Sequence, residues 1–204
     1  MSAPLGLEFL TSAPDADHLP PSQAELAVVG RSNVGKSSLL NAVAGRKGLA
    51  HVSKTPGRTQ LLNCYRAGGP DSEATVVDCP GYGYAAVSKA TRASWQGMIE
   101  GYLLDREPLT MLIVLVDGEV GPTKLDGEML GWVRTHALPH TVVATKHDKV
   151  RSSQREKRKR DLAAGCQLER SDVVWVSAVS GAGIDRLRDL ARLWLGLGAG
   201  SGGD

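Results

Sequence analysis

Hydrophobic and polar positions fall along the chain in blocks that read as alternating strands and helices. Residues 109–116 (LTMLIVLV) are apolar without alternation, the pattern of a strand covered by helices on both faces of a sheet. Residues 25–29, 141–144 and 173–176 are shorter strands of the same kind. Residues 60–66 (QLLNCYR) and 74–77 also read as strands. The link between them, GGPDS at 68–72, is too short for a crossover helix, so this pair is expected to be antiparallel. Helices are predicted at 36–44, closed by Gly45, and at 88–105, with Gly97 or Gly101 as candidate interruptions. Others are predicted at 124–136, 154–164 and 184–195. In the last, Ile184, Leu187, Leu190, Leu193, Trp194 and Leu197 recur at helical spacing.

The remaining segments carry turn chemistry. Residues 1–22, rich in Pro, Ala and Asp, read as an irregular arm in which a weak strand at 8–10 is not required. Residues 48–59 (GLAHVSKTPGRT) form a long polar connection, where Pro56 and Gly57 exclude a regular element. The glycine-rich end reads as a disordered tail. The expectation is an α/β fold with helices on both faces. Its central sheet is mostly parallel, with six or seven strands and one antiparallel hairpin. No internal repeat or second domain is evident: an extension (1–22) precedes the domain (23–197), and a flexible tail (198–204) follows it.

Composition narrows the class. A chain of 204 residues is long enough for one α/β domain with a sizeable core. One Phe, four Tyr and four Trp leave that core to Leu, Val and Ala. A net charge of +2 gives no case for a globally basic nucleic-acid binder, and no DNA partner is expected. Cys64, Cys79 and Cys166 share no metal-binding spacing, which suggests a reducing compartment. No apolar run approaches the ~20 residues that cross a bilayer, and the start of the chain lacks signal-peptide character. A cytoplasmic monomer with no membrane partner is the expectation.

The chemistry lies where predicted strands end. After 25–29 comes GRSNVGKSS at 30–38, which fits G-x-x-x-x-G-K-[ST] with Gly30, Gly35, Lys36 and Ser37 in place. Such a loop turns several backbone N–H groups inward as an anion nest, and the following helix adds its positive end, with Arg31, Ser32, Asn33, Val34 and Ser38 among the nucleotide-binding candidates. Lys36 then reaches the β- and γ-phosphates, and the Ser37 hydroxyl ligates Mg²⁺. After 74–77 comes Asp78-Cys79-Pro80-Gly81. Asp78 is placed to hold Mg²⁺ through a water, and the Gly81 N–H to sense the γ-phosphate. Thr59, in the loop that contains Gly57, is the candidate second Mg²⁺ ligand, with Thr55 as its alternative.

After 141–144 comes Thr145-Lys146-His147-Asp148. A carboxylate at Asp148 accepts from both N1–H and the exocyclic amine of guanine. Adenine lacks that pair of donors. Lys146 would lay its aliphatic stem along the base and tie its head to the phosphate loop. Threonine at 145, where GTPases commonly carry asparagine, makes a weaker contact with the base. After 173–176, Ser177 shapes a turn and the Ala178 N–H is placed for guanine O6.

With these motifs in place, residues 30–41 (GRSNVGKSSLLN), 53–63 (SKTPGRTQLLN), 78–89 (DCPGYGYAAVSK) and 145–149 (TKHDK) resemble the EngB-type GTPases, also called YihA or YsxC. These belong to the same broad group as Era and the tRNA-modifying GTPase MnmE. The resemblance spans about 7–197. It implies a single Ras-like P-loop GTPase domain with an N-terminal extension. It also implies binding of GTP and GDP, slow hydrolysis, and a role in late assembly of the bacterial large ribosomal subunit, with effects on cell division or septation arising indirectly. Two positions depart from the family: Glu119 stands near a usual arginine, and SAVSG replaces a common serine pair.

Chemistry at such a site is positional and electrostatic, with Lys36, Thr59, Gly81 and Asn33 as the catalytic set. Tyr82 follows Gly81, where small switches often place a water-orienting Gln, so intrinsic turnover is expected to be low. In related GTPases an asparagine at the place of Asn33 helps bind K⁺, which gives K⁺ as a second candidate cofactor beside Mg²⁺. Arg31, Lys54 and Arg58 lie in or near the phosphate region. Arg151, Arg155, Lys157, Arg158, Lys159 and Arg160 make a dense basic run suited to rRNA phosphate. Arg46, Lys47, His51, Lys54 and Arg58 form a second basic set. Alternative functions are a Ras-like switch for a non-ribosomal client, such as tRNA modification or membrane and cell-cycle signalling, and a P-loop ATP-dependent kinase.

Overall fold

The computed structural model describes residues 2–50, 61–82 and 89–198, with 89–95 as backbone only. Seven strands form one sheet: β1 (Leu7–Ala13), β2 (Ala24–Gly30), β3 (Leu62–Ala67), β4 (Ala74–Asp78), β5 (Leu109–Asp117), β6 (His140–Thr145) and β7 (Val173–Trp175), in the order β1-β3-β4-β2-β5-β6-β7. β3 runs antiparallel to β1 and β4, and every other pairing is parallel. The helices are α1 (Lys36–Ala44), α2 (Lys89–Asp105), α3 (Lys124–Thr135), α4 (Arg155–Gly165) and α5 (Ile184–Trp194).

The unbroken apolar runs are explained by two cores, one on each face of the sheet. Along β2, Leu26 and Val28 join the core under α1 and α5, with Leu40, Val43, Ile184 and Leu187. Ala27 and Val29 point the other way, into the core under α2, α3 and α4, with Tyr102, Leu103, Leu130, Val133 and Leu162. A strand with both faces buried has no polar side to alternate with.

Three expectations are corrected. The arm is not irregular throughout: β1 pairs with β3 in a ladder that shifts register between Phe9 and Thr11, and Leu5, Leu7, Ala13 and Leu19 are buried. Only the two ends of β1 are buried, so its sequence carried no alternation to read. α2 runs unbroken through Gly97 and Gly101, where a Cβ would meet nothing within 4 Å. Leu193 is 73% exposed, and Ala191 and Leu195 fill the α5 seam in its place.

α5 also ties down neighbouring segments. Arg188 donates to the Val43 carbonyl (3.0 Å) and the Ala42 carbonyl (2.8 Å), satisfying acceptors in the last turn of α1. Arg188 and Arg192 reach the carbonyls of Ser2, Ala3 and Pro4. At the amino end of β2, fully buried Glu25 accepts from the Tyr102 hydroxyl (2.8 Å), Thr75 hydroxyl (2.7 Å) and Arg106 Nε (3.0 Å).

Candidate nucleotide site

The segments that leave the carboxyl ends of β2, β4, β5, β6 and β7 carry the polar motifs, as the parallel strand order requires. The loop after β2 turns through left-handed conformations at Asn33 (φ 64°) and Gly35 (φ 106°). At Gly30 a Cβ would lie 2.9 Å from both Leu115 Cβ and Val34 Cγ1, so only glycine fits there. Among the described residues, the N–H groups of Asn33, Gly35, Lys36, Ser37 and Ser38 make no backbone hydrogen bond, and Leu39 N donates back to Gly35 (2.9 Å). These donors surround the start of α1, where an anion is favoured.

Lys36 Nζ stands 2.7 Å from Asp78 Oδ1. Burial pushes the Asp78 carboxyl upward, against the pull of Lys36 and Asn63. Despite the short approach of Lys36, Oδ1 has no well-directed hydrogen bond, so the contact is one of charge. A buried carboxylate oxygen without a directed donor fits a place for a cation's water shell. No group of three or more His, Cys, Asp or Glu converges among the described residues. Thr59 and Gly57, like Thr55, His51, Lys54, Arg58 and Tyr84, lie outside the described residues.

The segment after β6 is held from three sides. Lys146 adopts a left-handed backbone (φ 57°), and its Nζ donates to Asp117 Oδ2 at 2.6 Å. Asp117 Oδ1 accepts from the Glu119 (2.9 Å) and Val120 (3.1 Å) N–H groups. Asp148, exposed, accepts from the buried Ser177 hydroxyl at 2.6 Å. Ser177 Oγ in turn accepts from the Val179 and Ser180 N–H groups, which fixes the turn that bears Ala178. The His147 ring meets Trp175 edge-on, and burial lowers its pKa.

The tie to the phosphate loop falls to a different residue than expected. The Lys146 head goes to Asp117 and not to the phosphate loop. Thr145 makes that tie: its hydroxyl donates to the Val34 carbonyl at 2.6 Å. Asp117, which holds Lys146, is a residue of this site that the sequence reading did not single out. Its signal was an acidic residue closing the apolar run of β5.

Gly81 packs on the phosphate loop, where a Cβ would lie 3.2 Å from Ser32 N. Tyr82 bridges to Arg31 in parallel: Tyr82 N donates to Gly30 O (3.2 Å) and Ser32 N to Tyr82 O (3.1 Å). The Arg31 guanidinium turns to Asp126 on α3 (3.0 Å) rather than inward, and the Tyr82 hydroxyl donates to the same carboxylate (3.0 Å). Tyr82 thus packs toward α3, a choice that the sequence left open.

The basic run is only partly exposed charge. Arg155 donates to Val150 O (3.2 Å) and Arg158 to Val120 O (3.2 Å), and Lys159 and Arg170 both pair with Glu156. Arg151, Lys157 and Arg160 are exposed and make no ion pair among the described residues. Arg46 and Lys47 follow α1, on the opposite face of the sheet, so they do not extend this patch. Glu119, at the position of a usual arginine, lies 3.6 Å from Lys149.

Comparison with known proteins agrees with this geometry. A family described as "50S ribosome-binding GTPase" matches residues 25–146. The "Probable GTP-binding protein EngB" of Desulforamulus reducens is 43% identical over 182 residues, covering 88% of each chain. Its counterpart in Thermotoga maritima is 44% identical over 175 residues, 85% of this chain and 88% of that one. Among solved structures, a probable GTP-binding protein EngB matches with TM-score 0.67 at 23% identity, over 84% of this chain and 98% of that chain. Era, in complex with MgGDPNP and a piece of 16S ribosomal RNA, matches with TM-score 0.65 at 24% identity, over 84% of this chain and 56% of that one. Both agree with the fold. The chain belongs to the EngB (YihA) family of P-loop GTPases, in the group that includes TrmE, Era and EngA.

Proposed function

We propose that the protein binds GTP and GDP, hydrolyses GTP slowly with Mg²⁺, and acts as a nucleotide-controlled factor in assembly of the bacterial large ribosomal subunit. The observation that carries the nucleotide reading is that Lys146 and Asp148 directly follow a strand end bonded to the phosphate loop through Thr145 and Val34. One ligand can then span both motifs. Asp148 discriminates guanine by accepting two donors that adenine does not offer. Ser37 and Asp78 are the residues that would hold Mg²⁺, with Thr59 as the further ligand read from the sequence. The ion would supply neutralisation of phosphate charge. Lys36, now beside Asp78, is the cation available to the β- and γ-phosphates. K⁺ near Asn33, which is exposed on the loop, is the second ion in this proposal.

Slow turnover follows from Tyr82, a phenol at the position where small switches place a water-orienting Gln. The ribosomal part is supported by the description of the matching family and by the exposed Arg151, Lys157 and Arg160. The deciding experiment measures binding to large-subunit precursors at controlled salt, with GDP and with a non-hydrolysable GTP analogue. Binding that depends on the nucleotide is expected. Equal and negligible binding in both states would overturn the ribosomal role. ATP displacing bound GDP as well as GTP does would overturn the guanine reading.

A further inference from the structure

Arg31 and Tyr82 converge on a carboxylate that neither phosphate nor base recognition requires. Asp126, in the first turn of α3, is fully buried. Its Oδ2 accepts from Arg31 Nε at 3.0 Å and from the N–H and hydroxyl of Thr123, each at 2.8 Å. Its Oδ1 accepts from the Tyr82 hydroxyl at 3.0 Å, its single donor among the described residues. Arg31 lies in the phosphate loop, and Tyr82 directly follows Gly81. One carboxylate on a third element therefore holds both. Burial, with Asp126 alongside, pushes the Tyr82 phenol far above its ordinary range, so it remains an O–H donor.

The backbone of the same segment is also committed. Tyr82 O takes the Ser32 N–H, one of the donors that the loop would otherwise turn toward phosphate. Gly81 is in contact with Ser32, with a Cβ position only 3.2 Å from its nitrogen. In this arrangement Gly81–Tyr82 is docked on the phosphate loop by its backbone and on α3 by its side chain.

We propose that Asp126 is a positioning residue that holds Gly81–Tyr82 docked, so that a γ-phosphate drawing on the Gly81 N–H works against the Tyr82–Asp126 hydrogen bond. The proposal rests on the GTPase reading and deepens it. Asp126 sets the preference between nucleoside diphosphate and triphosphate through Tyr82, without contacting either. A ligand shifts such an equilibrium only by its differential affinity for the two forms. Whatever the bond adds to the docked form is subtracted from triphosphate binding alone. Loss of the Tyr82 hydroxyl would leave Oδ1 of a buried carboxylate without its donor, which makes the bond large enough to measure.

The test compares the Kd of GDP and of a non-hydrolysable GTP analogue in the wild type, Tyr82→Phe and Asp126→Asn, at fixed salt and Mg²⁺, with urea unfolding alongside. Tyr82→Phe keeps the ring and removes only the donor. It is expected to move the ratio of the two Kd values about ten-fold toward the analogue, with GDP affinity nearly constant. Asp126→Asn retains an acceptor for Tyr82 and loses the Arg31 ion pair, so a smaller shift in the same direction is expected. A purely structural role would lower stability and leave the ratio unchanged in Tyr82→Phe, and that result overturns the proposal alone. A wild type that bound neither guanine nucleotide would overturn it together with the GTPase reading.

Discussion

Thr145 Oγ1 and the Val34 carbonyl, 111 residues apart in sequence, are joined by a 2.6 Å hydrogen bond that is fully buried. The bond adds to the β2–β5–β6 pairing and ties the end of β6 directly to the phosphate loop. The same hydroxyl approaches the Val116 carbonyl at 3.3 Å, which draws β5 into the joint.

Replacement of Thr145 by valine keeps the shape and removes the donor. It leaves a buried carbonyl unpaired, at a cost of about 1–3 kcal/mol. Urea unfolding is expected to show that loss, and GDP affinity to fall with it. Unchanged stability would mean that Val34 finds another donor.

Asp148→Asn tests the base. An amide offers one acceptor and one donor where the carboxylate offered two acceptors. Guanine nucleotides are expected to weaken by roughly ten- to a hundred-fold, while xanthine nucleotides, whose ring carries an oxygen in place of the amine, gain. Competition titration with GDP and xanthosine diphosphate reads both effects. A variant that kept its guanine preference would show that Asp148 does not face the base. Ser177→Ala is expected to weaken guanine binding less, because it releases the Asp148 side chain without changing its charge.

The phosphate loop and the ends of β4 and β6 were legible because each motif sits where a buried apolar run stops. Strand β5 gave the most direct signal, since Leu112 through Val116 are all buried. What was not legible depends on partners distant in sequence. Nothing near Thr145 announces Val34, and nothing near Tyr82 announces Asp126, 44 positions later. β1 escaped for a related reason: an edge strand with exposed middle positions takes its conformation from its partner β3. In the basic run, charge was visible, but its intramolecular use by Val120, Val150 and Glu156 was not.

Arg106→Met separates stability from binding. Glu25 is wholly buried, with its charge balanced by Arg106 at 3.0 Å, at the end of β2 away from the phosphate loop. Removing one partner of such a pair leaves an uncompensated buried charge, a loss of about 3–5 kcal/mol. The Thr75 and Tyr102 hydroxyls remain as donors, which should place the loss toward the lower end. A large drop in the urea midpoint is expected, while GDP affinity measured in the folded range stays near wild type. A parallel fall in affinity would show that the two ends of β2 are coupled.

The Asp117–Lys146 pair predicts a pH signature. Burial alone would raise the Asp117 carboxyl, but Lys146 and the Val120 and Glu119 N–H groups more than offset it, so the folded value lies below 3.8. A carboxylate with a depressed pKa stabilises the folded state above its unfolded value and loses that contribution as pH falls through its folded value. Asp117→Asn is therefore expected to be less stable than wild type by a constant amount near neutral pH. The gap should close progressively below 3.8, because the wild-type carboxyl is then protonated as well. Urea unfolding across acid pH at fixed ionic strength measures the gap. A gap that widened on acidification would mean that Lys146 is held by a group other than Asp117.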